Sequence, residues 1–413
     1  MAIESNAASR AKWLALTAAF LGWMFDGVEM GMFPIVARPA LQELLGTTSD
    51  QQVGMWMGYI TALFLLGAAS GGFVFGWLGD KIGRVRAMTA SILVYSIFTG
   101  VCYFAQAAWQ LGAFRFLAAL GMGGEWALGV ALVVESWPDN KRPLMAGVIG
   151  AAANVGNALI GVVAWLFPVS VYSWRWVMLG GVTPAFLALF IIMLVPESHR
   201  WQESIKQGKA HPLREIFGPK LWKTTLLAIA FSSVALIGTW GSVQWLPLWA
   251  AQMADEAMPQ VKGITMVIMS IGAIVGCFLG SWIGARLGRR PAFFILCAIS
   301  MISCAILFRT VSVFGLKFMV GTFIVGMVTA TFYGWLPLYL PELFPTRARA
   351  TGQGVSYNAG RIFAAVGAIT QGQLVNHFGG SYAQAGAVVT LVYLVGMVLI
   401  WFGKETKNQP LPE

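Results

Sequence analysis

From residue 13 onward the chain repeats one pattern: a long apolar run, then a short break of charged, Pro or Gly residues. The hydrocarbon core of a bilayer takes about 20 apolar residues per helical crossing. Twelve runs meet that length, at 13–37, 53–78, 86–105, 111–135, 144–168, 174–195, 222–250, 262–284, 291–309, 313–340, 351–375 and 381–403. They are apolar on all sides and too long for membrane strands, which alternate over about 10 residues. Composition agrees. With 58% hydrophobic and 11% charged residues, no soluble globule of this length has interior enough to hide its apolar side chains. The expected class is an all-α membrane protein with twelve transmembrane helices. The first run is too long for a cleavable signal, carries two acids and precedes eleven more spans.

The net charge of +10 is not a nucleic-acid signal, because of where it lies. With both termini in the cytoplasm, most of the 27 Lys and Arg fall on that side. Arg38, Arg175, Lys262, Arg309 and Lys317 fall opposite, and Arg115 and Arg361 lie within spans. The positive-inside rule sets this orientation, so a multi-pass protein of the inner or plasma membrane is expected. Cys102, Cys277, Cys297 and Cys304 all sit in spans and read as packing residues. His199, His211 and His377 are scattered at loop positions, no cluster has metal-ligand spacing, and no metal, cofactor or catalytic residue is expected.

Two motifs recur. ESWPDNKR (Glu135–Arg142) returns as ELFPTRAR (Glu342–Arg349), 207 residues on, and GWLGDKIGR (Gly76–Arg84) returns as SWIGARLGR (Ser281–Arg289), 205 residues on. A duplicated six-helix unit follows. Two pseudo-symmetric bundles are expected over 1–196 and 222–413, joined by a polar cytoplasmic linker at 197–221. Such repeats build secondary transporters, with the solute bound near the midplane between them.

At these motifs the sequence resembles the major facilitator superfamily. GWLGDKIGRVR (Gly76–Arg86) matches the loop between helices 2 and 3 that marks the superfamily, Glu135/Arg142 and Glu342/Arg349 resemble the E-x6-R pairs of sugar porters, PESHR (Pro196–Arg200) resembles PESPR, and ETK (Glu405–Lys407) resembles the PETKG ending. The resemblance implies that Asp80, Arg84, Glu135, Arg142, Glu342 and Arg349 form a cytoplasmic gate holding the halves together. Ala285 stands where Asp80 does, so the second copy is expected to be weaker. Within the superfamily the chain looks most like the aromatic acid:proton and sialate:proton symporters, through DGVE (Asp26–Glu29), Arg115, GMGGE (Gly121–Glu125), VVESWP (Val133–Pro138) and SYNAGR (Ser356–Arg361). Glu29 departs from the second Asp of that clade's DGxD.

The intramembrane charges carry the functional expectation. An ionised side chain at mid-bilayer costs about 2.5–3.5 kcal/mol and is expected to face a cavity or a partner. Asp26 and Glu29, at i,i+3, share one helix face, and three acids (Asp26, Glu29, Glu125) stand against two arginines (Arg115, Arg361). One acid is left without a cation, so these three are the candidate proton carriers; locking helix packing is the plain alternative. Arg361, helped by Arg115, is the candidate receptor for a substrate carboxylate, because a guanidinium offers a two-pronged donor fork; a structural ion pair with the helix 1 acids is the alternative. Tyr357, Asn358, Asn154, Asn157, Gln244, Trp245, Tyr333 and Trp335 are candidate lining residues for a small ring-bearing or hydroxylated ligand. Packing is the alternative for each aromatic. The expectation is a monomeric, proton-coupled symporter of a small organic anion, with the solute, protons and lipid as partners and no nucleic acid. A sugar or organic-cation carrier, a membrane enzyme and a non-transporting receptor are the rivals.

Overall fold

A computed structural model describes residues 2–412 apart from 168, 207–210, 255–257, 259 and 380. The segment 207–210 of the expected linker, Lys209 included, lies outside the described residues. Among the described residues every regular element is helical. Eleven helices are long and apolar enough to cross a bilayer: α1 (Arg10–Leu45), α2 (Met55–Ile82), α3 (Arg84–Phe104), α4 (Ala108–Ser136), α5 (Asp139–Leu166), α6 (Trp174–Leu194), α7 (Trp222–Met253), α8 (Val261–Leu287), α9 (Arg289–Thr310), α10 (Leu316–Leu343) and, last in the chain, α12 (Tyr382–Phe402). The remaining helix, α11 (Arg349–His377), has 29 residues and so a length of about 43 Å at 1.5 Å per residue. It falls short in apolarity alone, because Gln353, Asn358 and Arg361 interrupt it.

Pro34 and Pro39 lie inside α1, which continues to Leu45 rather than ending near residue 37. Packed neighbours satisfy the backbone groups that a membrane proline frees. In α7 the helix stops at Trp240, makes a 3-10 turn at Val243–Trp245 and restarts at Leu246 with Pro247 in its first turn. Outward faces carry exposed apolar side chains such as Leu66, Ile97, Leu189 and Val398, suited to lipid.

Most helices of α1–α6 pack chiefly within their own half, as do most of α7–α12, the seam helices α5 and α11 excepted. The halves meet along two seams, α2 against α11 and α5 against α8, with α10 on α5 and α4 on α11 beside them. The linker contributes the short helices His199–Lys206 and Pro212–Ile216. The latter is tied to the second half through Glu215, which accepts from Arg347 Nε at 2.8 Å. The α2–α3 and α8–α9 turns and the C-terminal segment gather at one end of the bundles, called the charged end below.

Candidate functional site

The tight turn between α2 and α3 pivots on Gly83 at φ 108°, and its repeat on Gly288 at φ 98°, conformations that favour glycine. Each turn aims one arginine inward. Arg84 donates to both oxygens of Glu135 (3.2 and 2.9 Å), to Asp80 Oδ1 (2.8 Å), and across the seam to the carbonyl of Thr346 (2.8 Å). Arg289 repeats the two-pronged bond on Glu342 (2.9 and 2.7 Å). The motif pairs are exchanged between halves: Glu135 takes Arg349 at 2.9 Å, and Glu342 has Arg142 at 3.9 Å. Asp80 adds a second seam contact, accepting the Thr351 amide (2.8 Å) and hydroxyl (2.6 Å). Nothing equivalent arises at Ala285, which has no polar side-chain atom. All six expected gate residues therefore come together, and the halves are latched at this end.

Four residues beyond the six expected gate positions complete this cluster. Glu197 accepts the amides of Arg84 (2.9 Å) and Val85 (3.1 Å) at the N-terminus of α3, where a carboxylate complements the helix dipole. Glu405 does the same for Arg289 (2.9 Å) and Arg290 (3.0 Å) at the start of α9. Ser198 and Thr406 each donate to the motif glutamate of their half, Glu135 and Glu342, at 2.5 Å. The signal was available: PES and KET stand 208 residues apart, as Glu197 and Glu405 do. Burial pushes the Glu197 carboxyl up against the pull of its amide donors. Burial acts the same way on Glu405, but there the amides of Arg289, Arg290 and Lys407 win and hold it below the ordinary glutamate range.

The helix 1 acids are not on the wall of a route between bundles, as their shared face suggested. Asp26 (0% exposed) and Glu29 (2%) are sealed within the first half. Glu29 accepts from Thr99 of α3 (3.0 Å) and pairs with Arg115 of α4, whose guanidinium also stands over the Phe33 and Phe64 rings at 5.1 and 4.5 Å. Arg115 is thereby committed inside the first half and does not join Arg361. Asp26 faces Glu125 of α4 instead, and neither carboxyl has a donor among the described residues. Small residues make this possible: Gly22, one turn before Asp26, leaves room for the Glu125 carboxyl, whose Oε1 would sit 1.5 Å from a Cβ there.

Between the halves lies a small hollow lined by side chains of both bundles. Its wall comprises Trp23 and Met30 of α1, Asn154 and Asn157 of α5, Thr239, Trp240 and Gln244 of α7, Tyr333 of α10, and Tyr357 and Arg361 of α11. Arg361 is 2% exposed and has no ion pair among the described residues. It donates to Asn358 Oδ1 (2.9 Å) and lies over the Tyr357 ring at 5.2 Å. Tyr357 in turn stacks on Trp126 at 4.2 Å and meets Trp23 edge-on at 6.4 Å. Asp26 of α1 is close enough to feel the charge of this arginine.

Three expected lining residues lie elsewhere. Asn358 points away from the hollow and ties α11 to the Gly123 carbonyl of α4 at 3.0 Å. Trp335 is fully buried in an aromatic cluster with Phe293 and Tyr339, its indole donating to the Arg289 carbonyl at 3.2 Å. Trp245 packs on Tyr382 because the break after Trp240 turns it aside and puts Trp240 on the wall. Trp23 and Trp240 stood in the same stretches as Asp26 and Gln244, but a periodicity argument cannot see a helix break.

Comparison with known proteins completes the picture. The family model described as Major Facilitator Superfamily matches residues 13–368 and 252–413. A putative metabolite transport protein of Haemophilus influenzae is 29% identical over 97% of this chain and 98% of its own length. A probable 4-methylmuconolactone transporter of Cupriavidus pinatubonensis is 32% identical, covering 95% and 90% of the two chains, and the sialic acid transporter NanX of Escherichia coli is 28% identical, covering 94% and 92%. The proton:xylose symporter XylE has the same fold, with a TM-score of 0.78 at 18% identity over 98% of each chain. The chain is thus a multi-pass transporter of small molecules and not an enzyme, and it belongs to the major facilitator superfamily.

Proposed function

We propose that this transporter moves a small organic anion together with a proton, by alternating access between the bundles over 1–196 and 222–413. One observation carries the reading: a buried arginine, Arg361, lines the hollow without an ion pair among the described residues. A buried cation in a membrane protein demands a counter-charge, and a carboxylate supplies one in the geometry a guanidinium prefers. Tyr357, Trp23 and Trp240 offer flat apolar surface for the body of the substrate, and Asn154, Asn157 and Gln244 offer amides for its hydroxyls or second polar end. The relatives named for 4-methylmuconolactone and sialic acid support an acid as cargo.

The proton is assigned to Asp26 and Glu125. Two carboxyl groups that face each other with no donor lack only a hydrogen, and a proton held between them supplies it. Asp26 lies close enough to Arg361 to respond to the charge that arrives there. Glu29 is a second station, paired with Arg115 until it is protonated. Opening then requires the charged end to unlatch. We place that end in the cytoplasm, with both termini, in the inner or plasma membrane.

Uptake by protein reconstituted in vesicles tests the reading. Benzoate, 4-methylmuconolactone and sialic acid form the panel, with xylose and tetraethylammonium as neutral and cationic alternatives. Accumulation of a panel acid driven by an acid-outside gradient is expected, together with a loss of about 10- to 100-fold in apparent affinity for Arg361→Gln, the range for a buried charge-assisted bond. Uptake of xylose or tetraethylammonium with no acid, undiminished in Arg361→Gln, overturns it.

A further inference from the structure

Asn154 of α5 borders the hollow and is only partly buried. Its amide nitrogen donates across the seam to Cys277 Sγ of α8 at 3.6 Å. That thiol is fully buried and donates in turn to the Ala330 carbonyl of α10 at 3.5 Å. Ala330 is the turn residue between the helical stretches Leu316–Thr329 and Thr331–Tyr339. Both contacts are weak hydrogen bonds of the kind a thiol makes.

Their order fixes the asparagine. A thiol has one hydrogen, and a carbonyl can only accept, so the hydrogen goes to Ala330. The sulfur is left with lone pairs, and Asn154 must turn its NH2 toward them. Oδ1, at the other end of the amide, has no hydrogen-bond partner among the described residues. The sulfur itself has little freedom. Added Cβ atoms at Gly276 and Gly280 of α8 would lie 1.8 and 1.9 Å from carbonyls of α10, and one at Gly334 would lie 1.7 Å from the Cys277 carbonyl. Small residues thus bring the two backbones into contact. Gly150, one turn before Asn154, meets the Tyr333 carbonyl in the same way, at 2.1 Å from an added Cβ. The side chains clustered with the thiol are Ala151, Ala273 and Ala330, with Ile274 and Tyr333 at the edge.

We infer that Cys277 is a positioning residue for cargo recognition: it holds the Asn154 amide with Oδ1 toward the hollow, so that this part of the wall accepts. The inference rests on the reading above, in which Arg361 takes the carboxylate. Arg361 can only donate. A cargo that satisfies both residues therefore carries a hydrogen-bond donor, a hydroxyl, besides its carboxylate. A methoxy group in its place has no hydrogen to give and sets two acceptor oxygens against each other. Leaving a buried acceptor unpaired is costly enough to make such an analogue at least about tenfold weaker.

The test is competition in vesicles against the panel acid that the wild type accumulates. The competitors are 3- and 4-hydroxybenzoate and their methoxy counterparts. The ratio of half-inhibitory concentrations within a pair is internal to each variant, so it does not depend on how much protein folds. In the wild type one hydroxy acid is expected to compete at least about tenfold better than its methoxy partner. Asn154→Leu should bring that ratio close to one. Cys277→Ala should lower it at least about threefold, whereas Cys277→Ser, which still donates and accepts, should keep it within about twofold. In ligand-free protein the infrared S–H stretching band that Cys277→Ala removes should shift in Asn154→Leu. A wild-type ratio near one, no competition by either hydroxy acid, a ratio unchanged in Cys277→Ala, or an unmoved thiol band each overturns the inference. If Arg361→Gln still loses the panel acid in that event, the anion reading stands and the role of Cys277 alone is wrong. If the wild type accumulates no panel acid, the anion reading fails and this inference with it.

Discussion

Asp80→Asn is the sharpest perturbation of the latch, because it removes a charge while keeping the shape. Oδ1 of Asp80 accepts from Arg84 Nη1 (2.8 Å) and the Ala350 amide (3.3 Å), and Oδ2 accepts from the Thr351 amide (2.8 Å) and hydroxyl (2.6 Å). An asparagine has one oxygen, so its NH2 faces donors whichever way it is set. Three of the four bonds cross from α2 to α11, and each loses its charge-assisted character or is lost outright. A buried bond to a charged group is worth about 1.5–3 kcal/mol against about 0.5–1.5 for a neutral one, so the latched state loses roughly 3 kcal/mol in all. At 1.4 kcal/mol per tenfold, that is about a hundredfold shift toward the unlatched state. The native cysteines are all buried, so background labelling is low. A Thr346→Cys reporter, buried under the latch at 4% exposure, then reads the opening through its rate of reaction with a bulky polar maleimide. The expected rate rises by about two decades in the Asp80→Asn background. A change below about threefold, in protein that still binds substrate, would refute the idea that Asp80 holds the halves together.

Three further outcomes are expected. Arg115→Leu strands a buried carboxylate and should cost about 3–5 kcal/mol in unfolding measurements, whereas adding Glu29→Gln to it should recover much of the loss; an additive pair would show that the ion pair is idle. Truncation after Gln409 removes Leu411, which is 4% exposed, and the Pro412 carbonyl that accepts from Arg349 Nη2 at 2.8 Å; a stability loss of about 1.5–3 kcal/mol follows from the leucine alone, and an unchanged melting temperature would discount the tail. Acidification should separate the two helix-capping glutamates: the low-lying Glu405 carboxyl contributes stability that is full above about pH 5 and fades as pH falls through 4, so the gap between wild type and Glu405→Gln narrows there, while the raised Glu197 carboxyl gains from protonation and moves its own gap the opposite way. Parallel melting curves for Glu197→Gln and Glu405→Gln across that range would contradict both directions.

Repeated motifs carried much of the charged cluster into view before any coordinates. ESWPDNKR and ELFPTRAR are loop signatures whose charges have few places to go at the end of a helical bundle, so their convergence was foreseeable. Which glutamate meets which arginine was not: Glu135 pairs across the seam with Arg349, and its motif partner Arg142 reaches Glu342. Pairing of that kind depends on how two separately folded bundles abut, and no local pattern encodes it.

Apolar run length alone determined that this chain crosses a membrane many times as helices, because in hydrocarbon each peptide group must find its hydrogen-bond partner within its own segment. Duplication at a near-constant offset determined two similar halves. Tertiary structure decided what the intramembrane charges face. Asp26 and Glu29 occupy one side of α1, yet one meets Glu125, for which Gly22 leaves room, and the other meets Arg115. Arg361 reached the hollow and Trp335 did not, although both are polar-tipped groups on seam helices. Spacing along a helix fixes a direction in space, and only the packing of its neighbours determines whether that direction holds protein, lipid or a hollow.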